Sequence, residues 1–434
     1  MWGLMGPETV ASERRTRTLG VGECIRSFND LAVPGMGGVW FGKQLLLATL
    51  GIAVTERVQE RRKSVHNIEI ANAVEALACR LALDRNGWKS DSRLRGVTKM
   101  RGKNDLAFAA VRKPGFYVTQ PMRMATGQAL LALGLVESNG RRFNSFVCSG
   151  PGNEFFEAAC AGYNPCHYSK GILDYLVDWS CGNFAVASHN HNLANALSPL
   201  EPLAKEACDI LRERLIQGDE QGSQIDSRRR ATLCWVESVR NAPHQRLTWK
   251  KKPMCIAEDH WRDLEAGALF FQVRDTAISM LDLLEEYIGS LNQQVLRLDG
   301  PLPAIIKSGI MALHDCAKRF LENQHPDELA NAFCRECTDT EDRRLIACLV
   351  ARDERVLRLR DHVVLPGPAF RGRSAPKSGE EPSAVEESPK NSVGAISWPD
   401  GISYRVHNLF LLNKDLCGEL SAWLDATTVI AGGE

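Results

Sequence analysis

The sequence predicts a mostly α-helical protein, and three observations carry that prediction. Val65–Leu83 places Ile68, Ala71, Val74, Leu77, Ala78 and Leu81 at steps of three and four, the pattern of one helix face. Ala277, Leu281, Leu284, Ile288, Leu291, Val295 and Leu298 alternate steps of four and three, as in a long central helix packed within a bundle. Helical spacing returns at 304–322, 326–336, 340–349 and 404–424, while strand-like alternation is short and rare.

Composition bounds the function classes. The chain has 434 residues, 53 Lys and Arg against 53 Asp and Glu, with 44% hydrophobic and 24% charged residues. A formal charge of zero excludes a histone-like chain held to nucleic acid by bulk charge, but not a local basic patch. No apolar run reaches the roughly 18 residues of a membrane span; the longest, Leu45–Val54, is about half that. Met1–Gly6 lacks the basic start and long apolar centre of a signal peptide, so a cytoplasmic location and no membrane partner are expected. The 14 cysteines lie mostly in apolar helical stretches and read as reduced, buried thiols.

Taken in order, residues 1–63 form an N-terminal helical segment, with a turn at Pro34–Gly38 and a helix from Lys43 to Gln59. Residues 64–165 form the next domain and 166–255 a helical connector containing helices at Leu200–Gln217 and Arg228–Asn241. Residues 256–370 are the helical bundle. Residues 371–392, almost without large apolar side chains, read as a disordered loop, and 393–434 as a helix docking back on the bundle.

The second segment carries the chemistry. Residues 85–123 hold ten Lys and Arg (Arg85, Lys89, Arg93, Arg95, Lys99, Arg101, Lys103, Arg112, Lys113, Arg123) against Asp91 and Asp105, a local charge of +8 in a neutral chain. A helix opening at Pro121 and closing at Gly134 follows. Leu135–Glu137 and Arg142–Cys148 then read as two strands around Asn139-Gly140, a hairpin signal, and Ser149-Gly150-Pro151 starts another helix to Ala161.

This order, a helix, Leu-Gly-Leu-Val, a basic hairpin and a helix, resembles the second half of a winged helix-turn-helix domain over about residues 66–162. Val65–Leu83 would be its leading helix and Asn104–Val111 its second, with the basic loop Arg85–Lys103 inserted between them. The Leu-Thr-x-x-Gly frequent after the wing in that family stands here as Cys148-Ser149-Gly150-Pro151-Gly152. The resemblance implies double-stranded DNA as a partner. Gln120 and Arg123 would open the recognition helix and reach base edges. Arg141, Arg142 and Asn144 would lie on the wing, and Arg112 and Lys113 would hold a phosphate. Winged helices also dock proteins, so a scaffold role stands beside DNA contact.

Other constellations are weaker. Cys334 and Cys337 form a C-x-x-C pair inside an apparent helix, near Cys348, His314, His325 and Cys316, in no usual zinc spacing; buried thiols are the expected reading. His189-Asn190-His191 closes an apolar run as a strand-borne metal pair would, without identifiable supporting carboxylates. P-loop, dinucleotide and nucleophile-elbow motifs are absent from the sequence. The combined reading is a non-catalytic DNA-binding or scaffold subunit of a bacterial nucleic-acid machine, of the antiphage-defence or mobile-element kind, needing no cofactor and working beside other subunits, an ATPase among them. A winged helix followed by long helices also loosely resembles kleisin-type bridging subunits of SMC-type complexes. The alternative from another class is a metal-dependent hydrolase or nuclease at His189 and His191.

Overall fold

A computed structural model of the chain describes residues 17, 19–140, 142–187, 190–218, 224–242, 246–372 and 396–431. The fold is mostly helical, with a two-stranded and a three-stranded antiparallel sheet among the described residues. It divides into two compact units: Asn29–Trp261 with Ala384–Glu434, and Met1–Phe28 with Arg262–Ser383.

Helix α1 (Gly22–Ala32) is shared between the two units, and the larger one is built around α2 (Gly42–Glu60) and α3 (Asn67–Arg85). Leu45, Leu46, Leu50, Ile52 and Val54 of α2 and Ile70, Val74, Leu77 and Leu81 of α3 are buried, so both helices run through the core. Their crossing is close because Gly51 has no side chain. A Cβ there would meet the Cα of Ala71 at 2.6 Å and its Cβ at 2.7 Å. The inserted basic stretch holds the single turn α4 (Val97–Met100), followed by α5 (Phe108–Val111) and α6 (Gly127–Ala132).

Strands β1 (Val136–Ser138) and β2 (Phe146–Cys148) come next, then α7 (Gly150–Cys160), α8 (Ile172–Ser180), α9 (His191–Leu197), α10 (Lys205–Gln217) and α11 (Gln224–Asn241). The larger unit ends in the tail helices labelled α16 (Tyr404–Leu416) and α17 (Leu420–Ala431). The tail was expected on the 256–370 bundle. Within the larger unit it packs on α11, α10 and α2, with Arg240 of α11 bound to Glu419 at 2.6 Å.

The smaller unit is organised on α12 (Glu258–Ser290), whose first residues belong to the larger one. The heptad pattern predicts helix to Leu298, but α12 stops at Ser290. Leu296 lies in β3 (Leu296–Arg297), which joins the hairpin of β4 (Leu357–Arg360) and β5 (Val363–Pro366) in the order β3-β5-β4. The continuing period was a coincidence: Leu296 and Leu298 are buried through long-range pairing, the Leu298 N–H donating to the His362 carbonyl at 2.8 Å. Between β3 and β4 lie α13 (Ala304–Glu322), α14 (Glu328–Cys337) and α15 (Asp342–Asp353), close to their expected positions.

Arg17 is buried in this unit among Asp282 (2.8 Å), Glu285 (2.8 Å) and Asp353 (3.1 Å). Glu285 also accepts the Arg371 N–H at 2.8 Å, at the first residue of the expected loop 371–392, which lies outside the described residues beyond Gly372.

Candidate nucleic-acid interface

The hairpin and its flanking helices are present, assembled by contacts that local pattern does not announce. Val136 pairs with Cys148, Glu137 with Val147 and Ser138 with Phe146. Gly134 ends the preceding helix at φ +63°, and Ser149 caps the following one, its Oγ accepting the Gly152 N–H at 3.0 Å while donating to the Gly134 carbonyl at 2.6 Å. At Gly152 a Cβ would stand 2.0 Å from the Leu135 carbonyl oxygen, so this junction admits only glycine. The sequence Ser149-Gly150-Pro151-Gly152 thereby joins wing to helix.

Two expectations change. The second strand, expected from Arg142, begins at Phe146, because Phe143–Ser145 forms a 3-10 turn and the hairpin loop is longer than Asn-Gly alone would make it. The buried Asn67 of α3 donates its amide to the Phe143 carbonyl (3.0 Å) and the Phe146 carbonyl (2.7 Å), taking acceptors that a longer strand would use. The expected helix from Pro121 is a 3-10 turn, Met122–Ala125, followed by the short α6. Its first amides are satisfied from outside: the buried Glu75 of α3 accepts from Met122 N–H (2.6 Å), Arg123 N–H (2.9 Å) and the Tyr117 hydroxyl (2.8 Å). Burial raises the Glu75 carboxyl above its ordinary value despite these donors.

Of the expected DNA-contacting residues, Arg112, Lys113 and Asn144 come together. They border an open groove of roughly 600 Å³ with His66, Ile68 and Glu69 at the start of α3 and Ala109 and Pro114 beside α5. The Asn144 side-chain oxygen accepts the Ile68 N–H at 3.0 Å, which seats the wing against the groove. Arg112 pairs with Glu69 at 2.5 Å and lies over the Phe108 ring at 5.5 Å; Lys113 is exposed. Arg142 is exposed on the wing, and Arg141 lies outside the described residues. Gln120 is half-buried just before the 3-10 turn.

Arg123 is placed differently from its expected role. Its Nε donates to the Asn72 side-chain oxygen at 2.5 Å and its guanidinium covers the Phe143 ring at 5.2 Å, so the side chain turns back between α3 and the wing. The basic segment is likewise divided. Arg93 is buried against Asp91 (2.9 Å) and the Ser421 hydroxyl (2.9 Å), and Lys103 donates to the Phe116 carbonyl at 3.1 Å. Arg85, Lys89, Lys99, Arg101, Arg112 and Lys113 remain exposed. A charge of +8 along the chain is therefore a weaker charge on the surface.

The remaining constellations resolve locally. His191 is the exposed first residue of α9, His189 lies outside the described residues, and Asn190 between them is a cap: its side-chain oxygen accepts the Leu193 N–H at 3.2 Å. The strand expected before it is a single bridge, Ala107 to Ala185. Among the described residues no group of three His, Cys, Asp or Glu side chains is arranged to hold a metal ion. Cys334 and Cys337 are buried on α14, and burial pushes the Cys337 thiol up to about 12. The 14 cysteines are free, but only Cys24, Cys79, Cys334 and Cys337 are fully buried, while Cys166 and Cys234 are exposed. No described helix is long and apolar enough to cross a membrane.

No protein family, characterised protein or solved structure matches this chain.

Proposed function

We propose that the protein is a non-catalytic DNA-binding subunit of a multi-protein nucleic-acid machine, and that it holds duplex DNA by the phosphate backbone. The observation that carries this reading is the convergence of Arg112, Lys113 and Asn144 on one open groove beside the wing. Exposed Lys and Arg side chains along a wing and groove suit phosphate oxygens, whose neutralisation releases counterions and gives salt-dependent affinity. Backbone contact fits better than base reading, because Arg123, the expected base reader, is engaged with Asn72 and Phe143.

Duplex binding measured between low and moderate salt tests the proposal. If about four phosphates are neutralised, the log–log slope is near −3.6. Salt-independent affinity, or no binding, overturns it and leaves the wing as a protein-docking scaffold.

A further inference from the structure

The chain between α2 and α3 brings a run of cations to the foot of the wing. Arg61, Arg62 and Lys63 are exposed there, as is Arg57 near the end of α2. Both flanks of the turn are tied to the wing. Glu56 of α2 accepts the Cys148 N–H of β2 at 2.7 Å, and Asn67 of α3 donates to the Phe143 carbonyl at 3.0 Å and the Phe146 carbonyl at 2.7 Å. His66, next to Asn67, lines the groove with Arg112 and Lys113. Four residues span at most about 14 Å, so the backbone of Arg62 stands within that distance of the groove's rim.

The turn is closed by its own hydrogen bonds. The Arg62 N–H donates to the Gln59 carbonyl at 2.8 Å and the Lys63 N–H to the Val58 carbonyl at 3.4 Å, a helix ending whose left-handed residue is usually glycine. Arg62 takes that place, at φ +60°. The Gln59 side-chain amide donates to the Val65 carbonyl at 2.8 Å and fixes the entry to α3. Carboxylates engage the neighbouring cations: Arg57 pairs with Glu60 at 3.6 Å and Arg61 with Asp178 at 2.6 Å. Among the described residues no carboxylate pairs with Arg62 or Lys63. Lys63 Nζ donates to the Cys181 carbonyl, which leaves its charge unneutralised and two donors over. An exposed guanidinium thus occupies a backbone position that glycine fills without strain, with its charge unopposed.

We propose that Arg62 and Lys63 form a second phosphate-binding element, which holds the DNA backbone where it passes the foot of the wing. The inference rests on the duplex-binding reading above. With Lys113 and Arg142, the turn supplies a cation for each of about four phosphates.

The test measures binding of the full chain to a fluorescently labelled duplex of mixed sequence across a salt series. Arg62→Gly and Arg62→Gln each flatten the log–log slope by about 0.9, and Arg62→Gly with Lys63→Ala flattens it by about 1.8. Arg62→Gly leaves the melting temperature unlowered, since glycine suits the left-handed position. Arg62→Lys keeps the parent slope, because the charge is kept. A parent slope retained in both Arg62→Gly and Arg62→Gln overturns the inference and leaves the groove reading standing. An affinity loss that Arg62→Lys fails to restore also overturns it, by making the residue a structural one. A parent that binds no duplex overturns both.

Discussion

The wing residue Asn144 accepts a hydrogen bond from the backbone amide of Ile68 at 3.0 Å, and one residue earlier Asn67 reaches back to the wing carbonyls. The first turn of α3 and the hairpin are thus tied by three hydrogen bonds, and the groove lies along their seam. An unsatisfied amide at the start of a helix is given its partner by a strand connection more than 70 positions away in sequence.

Replacing the two asparagines separates buried from exposed partners. Asn67→Ala leaves the Phe146 carbonyl without its donor in a buried setting and lowers stability by about 1–3 kcal/mol. Asn144→Ala removes an exposed bond and costs about 0.5–1 kcal/mol. Urea unfolding of the two variants gives the comparison, and equal losses would contradict the asymmetry.

Arg123 and the exposed cations should behave as different kinds of residue. Lys113→Ala with Arg142→Ala keeps the melting temperature and flattens the salt slope by about 1.8, two phosphates' worth. Arg123→Ala instead destabilises the fold, losing its bond to Asn72 and its stacking on Phe143, with a salt slope near that of the parent. A sequence-specific loss of DNA affinity in Arg123→Ala, without loss of stability, would restore it as a base reader.

Gly51→Ala should be costly for its size. The added methyl meets the backbone of Ala71 at 2.6 Å, which cannot rotate away, so the α2–α3 crossing must open. Overpacking of this kind costs roughly 1–3 kcal/mol, read as a lower thermal midpoint. An unchanged midpoint would mean that the two helices slide freely.

His407 sets an acid limb on stability. It is buried beside Trp398 and Phe410, and burial lowers its pKa from the ordinary 6.5 to about 4. The folded pKa lies below the unfolded one, so the stabilising effect is complete above about 6.5 and is lost as pH falls toward 4. The slope is about 1.4 kcal/mol per pH unit in that window. Unfolding free energies measured from pH 7 to 4 should show this limb, and His407→Gln should flatten it. An equal slope in the variant would assign the limb to other groups.

Local pattern determined the helices of this protein. The three-and-four spacing located α3, α13 and α14, Gly134 ended a helix, Asn139-Gly140 lay between two paired strands, and Ser149-Gly150-Pro151 opened the next helix. These features are legible because propensity, capping and turn geometry act within a few residues. The tertiary structure decided what those elements use. Glu75 turned an expected recognition helix into a 3-10 start by capping it from α3, and Asn67 shortened a strand by taking its carbonyls. The heptad run past Ser290 became β3 because Val363 and Val364 offered a pairing edge more than 60 residues on. The basic segment divided between structure and surface according to which cations met Asp91, a carbonyl or an aromatic ring. Such outcomes depend on side chains brought together by chain reversal, and a one-dimensional pattern holds no record of which donor will face which acceptor.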